Sequence, residues 1–184
     1  MPRRRAPFIR PRRPIFVGCE GGDEIAVTRW LQRLCDEEEL AIALRAIDAA
    51  GGDTLAIVQT SLARRRQQNA RSYSHSIILL DADRLVQDGA RAQEAIALAQ
   101  RERIDLIFAR PSIEGTLVRL IQGQETRIFA STQLAKDELQ RRWPTCTQPL
   151  LAEELAEKFV LDDLIRLAKH DPGIHRLLDV LGLI

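Results

Sequence analysis

Cysteine and histidine are scarce in this chain of 184 residues, and long apolar runs are missing. The three cysteines, Cys19, Cys35 and Cys146, are odd in number, widely spaced and without a CxxC pair. That argues against a disulfide scaffold and a cysteine zinc site, and for free thiols in a reducing cytoplasm. Cys19 reads as a small buried hydrophobe. His75, His170 and His175 have no ligand spacing and none lies near a cysteine, which disfavours a histidine metal site. No run approaches the ~20 apolar residues of a membrane span. The basic N-terminus lacks the apolar core of a secretory signal. No internal repeat is present.

Acids are also missing from the start: none occurs before Glu20, whereas residues 1–13 hold six arginines. The formal net charge of +1 hides this asymmetry, because the remainder is mildly acidic. The lead 1–14 is rich in Pro and Arg and reads as an irregular basic segment, either a solvated tail or a phosphate-binding arm. The whole chain is 45% apolar and 29% charged, an ordinary globular balance with enough length for one sizeable core.

Apolar runs and their punctuation set the element order. "PIFVG" is a short buried strand closed by glycines. Residues 23–39 follow with helical spacing through Ile25, Val27, Trp30, Leu31 and Leu34. "LAIALRAI" (40–47) reads as a second strand, since "AAGGDT" follows as a turn with Asp53 as N-cap. A helix runs from Thr54 to Ala70. Strand 76–81, helix 88–103, strand 104–109, helix 114–123 and helix 131–142 complete the main body. The tail 149–184 reads as two helices, with Asp171-Pro172 starting the second. The reading is an α/β domain over 15–148 with a mainly parallel central sheet and helices on both faces. The helices of 149–184 either close its core or present a dimer or partner face.

In such sheets ligands gather outside the carboxyl ends of the strands. Glu20 follows the first strand, Asp81 and Asp83 end the third, and Glu114 opens the helix after the fourth. Taken singly each has an ordinary role. Glu20 suits a turn, Asp81 a cap, Asp83 an ion pair with Arg84 or Arg110, and Glu114 a helix first turn. Together they form a dense negative site that needs protonation or a cation. Hard oxygen donors favour Mg²⁺ or Mn²⁺. Arg64, Arg65 and Arg66 suit a helix C-terminus, or alternatively a nucleic-acid contact.

A glycine-supported glutamate after the first strand and a DxD after a later one resemble the Toprim pattern, the metal-dependent catalytic fold of topoisomerases, primases and OLD-family nucleases. The chain is more closely similar to the RloB-like family of small bacterial Toprim proteins. These begin with an apolar strand running into CEG, here Cys19-Glu20-Gly21, and carry DxD after a middle strand, here Asp81-Ala82-Asp83. A Ser-Asn-Pro-x-Phe-Glu type segment then precedes a helix, here Ala109-Arg110-Pro111-Ser112-Ile113-Glu114. The resemblance covers about residues 14–125. The second acid of the family's EGxxTE is shifted by one place, to Glu24, and Arg110 replaces the Asn.

The resemblance implies Mg²⁺- or Mn²⁺-dependent phosphodiester cleavage of DNA or RNA. Glu20, Asp81 and Asp83 would be catalytic and metal-binding, with Glu114 beside them. Arg84 and Arg110 would stabilise phosphate charge, and the lead and Arg64–Arg66 would add salt-sensitive contacts. It also implies a cytoplasmic role in antiviral defence with a partner ATPase. Two other readings stay open. One is an inactive Toprim-like interaction or sensor module. The other is a DxD phosphatase with Asp81 as nucleophile, where Arg84 stands in place of the usual Thr or Gly.

Overall fold

A computed structural model describes residues 11–68 and 72–184. Arg3, Arg4, Arg5 and Arg10, and the expected end of a helix at Ala70, lie outside the described residues. Four strands, β1 (Arg13–Cys19), β2 (Ile42–Asp48), β3 (His75–Asp81) and β4 (Asp105–Ala109), form one sheet in the order β2-β1-β3-β4. All three pairings are parallel. The helices are α1 (Gly22–Glu37), α2 (Thr54–Gln67), α3 (Asp83–Gln87), α4 (Ala90–Arg101), α5 (Ile113–Leu120), α6 (Thr132–Arg142), α7 (Ala152–Lys158), α8 (Leu161–Ala168) and α9 (Pro172–Leu181).

Both sheet faces are covered, which is why the central strands are unbroken apolar runs. Side chains alternate along each strand. Ile15, Val17, Ile77, Leu79 and Ile107 face a core shared with α1, α5 and the C-terminal helices. Ile78 and Leu80 face the other way, onto Leu55, Ile57 and Val58 of α2 and Ala95 and Ala99 of α4. Each fully buried Leu or Ile contributes roughly 1.5–3 kcal/mol. Gly18 lets α2 sit close to β1, since a Cβ there would lie 2.6 Å from Ser61 Oγ.

Local signals hold well where they are local. Asp53 caps α2 by accepting from the Ala56 amide at 2.9 Å. Asp171 caps α9 through the Gly173 and Ile174 amides at 2.9 and 3.2 Å. Three expectations change. The strand β1 begins at Arg13, inside the expected irregular lead, because Arg13 reaches the Val180 carbonyl at 3.1 Å and Arg12 pairs with Asp36 at 2.9 Å. The tail forms three helices, not two. Its extra break falls at Phe159, which is drawn out of helical geometry to pack against Trp30 and Trp143 at centroid distances of 6.2 and 5.7 Å. The third change is the short helix α3, which no apolar stripe announces.

The tail is part of the main core: α7 packs on α1, α8 on α5 and α9 on β4. Among the described residues no helix is long and apolar enough to cross a membrane.

Candidate functional site

The chain winds from β1 outward to β2 on one side and reaches β3 and β4 on the other. The connections leaving β1 and β3 therefore part, and a crevice opens at their carboxyl ends. Glu20 follows β1 and Asp81 is the last residue of β3, so both stand at this switch point. The loop after β2 closes one wall, with Ala49 N donating to the Cys19 carbonyl at 2.9 Å and Gly51 N to the Glu20 carbonyl at 3.0 Å. Gly51 and Gly52 take φ of +69° and +108° there, which glycine adopts without strain.

The cleft is about 540 Å³ and is lined by Glu20, Glu24, Asp48, Asp81, Glu114 and Lys136 among others. Glu24 is only 5% exposed. It sits at the third position of α1 and accepts the Gly21 amide at 2.9 Å. Burial first, and then Glu20 and Asp23, push its carboxyl up to about 7. Asp81 Oδ1 accepts the Ile113 amide at 3.0 Å. Burial, with Glu24, Glu20, Asp83 and Glu114 adding like charge, pushes Asp81 up to about 8. At neutral pH Asp81 thus holds a proton unless a cation takes its place.

Glu114 and Glu20 each face a cation. Glu114, 5% exposed, accepts the Ser112 hydroxyl at 2.6 Å and faces Lys136 Nζ at 3.5 Å. Glu20 Oε1 accepts Arg84 Nε and Nη2 at 2.9 and 2.5 Å. Its other oxygen, Oε2, is buried and accepts no hydrogen bond.

The other expected residues stand outside the cleft or are already engaged. Asp83 starts α3, so the turn swings it out of the cleft, and its Oδ2 accepts the Thr132 hydroxyl at 2.7 Å. Arg110 is exposed and lines the same separate groove as Asp83. Arg84 is engaged by Glu20 instead of standing free for phosphate. The Arg64–Arg66 cluster ends α2, which starts after β2 and runs back toward the amino ends of the strands. There Arg66 pairs with Glu102 at 3.0 Å, at the opposite end of the sheet from the cleft. Cys19 is fully buried and its thiol is pushed up to about 12 by burial, an inert core residue.

Two acids of the cleft were not among the expected site residues, Glu24 being noted only as the displaced second acid of the motif, and both carried a signal. Glu24 shares the α1 face of Val27, Thr28 and Leu31, a stripe that turns inward. Asp48 ends β2, at the same carboxyl edge as the others.

The donor set suits a hard divalent cation in kind: carboxylate oxygens, one of them buried without a partner. Among the described residues no three His, Cys, Asp or Glu side chains converge to hold a metal as they stand. The Arg84 pair is one physical reason, because it occupies Glu20.

Fold and crevice together define a Rossmann-like α/β protein with a carboxylate-lined cleft at the switch point of a four-stranded parallel sheet. Comparison with protein-family models, with curated proteins and with solved structures finds no match.

Proposed function

We propose that this chain is a Toprim-type phosphodiesterase of the RloB-like kind, cutting nucleic acid with Mg²⁺ or Mn²⁺. One observation carries the reading. Four acids from separate elements, Glu20, Glu24, Asp81 and Glu114, crowd one switch-point cleft, and their mutual repulsion and burial hold Asp81 near 8. A soluble fold gains nothing in stability from such crowding, and functional sites are where it recurs.

Glu20, Asp81 and Glu114 are the residues that would hold the cation. Bound there, it would neutralise charge on a scissile phosphate and acidify water. With a cation held there, Asp81 would be deprotonated, its proton passing to solvent. Arg84, if freed from Glu20, and Lys136 would stand beside the cleft as cations for phosphate oxygens. Asp83 acts from the neighbouring groove rather than from the cation site. A role in antiviral defence with a partner ATPase belongs to the same proposal and rests on the resemblance alone, whereas a homodimer rests only on the apolar side chains of the C-terminal helices.

The test is cleavage of labelled single- and double-stranded DNA and RNA with Mg²⁺, Mn²⁺ or chelator. Cleavage should need the metal and disappear in Glu20→Ala and Asp81→Ala. Metal-dependent cleavage that both variants retain would sink the assignment. The Arg84–Glu20 pair and the lack of a convergent acid triple among the described residues favour one second reading, an inactive interaction or sensor module. Absence of Mn²⁺ binding by calorimetry, with the fold intact, would select it.

A further inference from the structure

The loops after β3 and β4 are zipped into a ridge, with Ala82 N donating to the Ala109 carbonyl at 2.8 Å and Asp83 N to the Pro111 carbonyl at 3.0 Å. The carboxylate cleft lies on one side of this ridge. On the other side lies a groove of about 950 Å³, bounded by α3 and the segment 126–133. That volume is in the range of ligand sites.

Its chemistry is opposite to that of the cleft. Its acid, Asp83, is capped by Thr132. Arg110 is exposed and enters no ion pair with the described residues. Arg127 shares Glu138 with Arg141 and Arg142, at 3.1, 2.6 and 2.5 Å, so three guanidinium groups face one carboxylate and the cluster is net positive. Between these cations sit apolar surfaces. Arg127 lies over the Phe129 ring at 5.4 Å, Ile128 is 91% exposed and Val86 86% exposed. Ile128 and Val86 stand in water beside these cations, and Phe129, packed in part against the core, lines the groove wall. Such a surface fits a partner that is flat, apolar and anionic at once.

We infer that this groove binds a single-stranded stretch of nucleic acid, with bases against Phe129, Ile128 and the Arg127 guanidinium, and phosphates on Arg110. A duplex offers phosphates but hides its base faces, so the apolar surfaces select the single strand. The ridge would then present the next phosphate to the carboxylate cleft. The inference rests on the proposed phosphodiesterase reading and extends it to the form of the substrate.

The experiment is fluorescence anisotropy with labelled oligo-dT, oligo-U and a matched duplex, in chelator so that binding is read apart from cleavage. Single strands should bind at least several-fold tighter than duplex. Phe129→Ala and Ile128→Ser should each weaken single-strand binding, Phe129→Ala by roughly tenfold. Arg110→Ala should weaken both forms and lower the salt slope by about one. Ile128 is so exposed that its variant tests the groove without disturbing the fold. Equal single-strand and duplex affinity, or unchanged single-strand affinity in both apolar variants, overturns the inference. Cleavage that persists with unchanged KM in those variants overturns it too, and leaves the phosphodiesterase reading standing. Single-strand binding lost in the apolar variants, in a protein that never cleaves, supports the groove and removes the hydrolytic reading.

Discussion

Asp81 and Asp83 are one residue apart, yet they belong to two regions that treat charge differently. Asp81 closes β3 and faces a cleft where acids outnumber cations. Asp83 opens α3 and faces a groove where its carboxylate is met by Thr132 and whose lining also carries Arg110, Arg119 and Arg127. In a continuing strand, residues two apart would share one face. The turn into α3 breaks that rule, and the ridge built from residues 81–83 and 109–111 puts the two carboxylates in separate hollows, although Asp83 still adds like charge to Asp81. A spacing on paper becomes two sites because secondary structure changes between the two letters.

The deepest contrast lies in how each region handles a buried charge. Arg119, on the floor of the groove, is 8% exposed in its side chain and pairs with Asp171 at 2.7 Å. Asp171→Ala would leave that guanidinium buried without its counter-ion and strip the α9 cap. We expect a loss of about 3–5 kcal/mol from the pair, in urea unfolding, and about 1 kcal/mol more from the cap. In the cleft the same kind of change has the opposite sign. Asp81→Asn removes a repelling charge and should leave stability at pH 8 equal to wild type or higher. A loss in both variants would erase the comparison.

Catalysis should split the two aspartates the other way. Asp81→Asn is expected to lower metal-dependent cleavage by about 10²-fold or more. Asp83→Asn keeps a group for Thr132 to bond and should cost about tenfold or less, mostly in KM. Equal losses would mean that both residues serve one centre after all.

How much of this was legible follows from how local each cause is. The parallel sheet is readable because Ile77 to Leu80 must be buried on both faces. The caps Asp53 and Asp171 act within their own first turns. Glu20 and Asp81 were brought together by the strand-end rule alone. Asp83 was misplaced in the cleft because Asp83–Gln87 has no apolar periodicity to announce a helix. The Arg84–Glu20 pair was out of reach, since no local pattern relates a residue after β3 to one after β1. Glu24 was missed although its helix face was in view, because an acid at the start of a helix has an adequate explanation in the dipole.

Proton linkage offers a subtler comparison. Asp81 is raised from 3.8 to about 8, and Glu24 from 4.5 to about 7. Between the lower and upper values the folded state holds more protons than the unfolded chain. Stability is therefore full below about pH 4 for these groups and is lost as pH rises through 7 and 8. Discounted for the solvent that reaches the cleft, the loss is on the order of 2 kcal/mol, or about 5 °C in Tm for a chain of this size. Scanning calorimetry from pH 5 to pH 8 without metal should show this slope. Asp81→Asn should flatten it, and Asp83→Asn, which removes one of four neighbouring like charges, should flatten it much less. Saturating Mn²⁺ should also flatten it, because the cation favours the deprotonated acids.

The smallest effect concerns Arg84, which stands between the regions. Its guanidinium, held on Glu20 Oε1, and an entering cation compete for the same carboxylate. Arg84→Gln removes one competitor. Its cost to metal-free stability should stay within about 1 kcal/mol, since the Arg84 side chain is 32% exposed. Mn²⁺ affinity by calorimetry should rise about fivefold, the same order of free energy returned to binding. Arg84→Lys keeps the charge but not the two-pronged contact, so its affinity should fall between the two. If Arg84→Gln instead weakened Mn²⁺ binding, Arg84 would be orienting Glu20 for the metal rather than withholding it. The cleft would then depend on a neighbouring cation, and the separation of the two regions by charge would be less sharp than the ridge suggests.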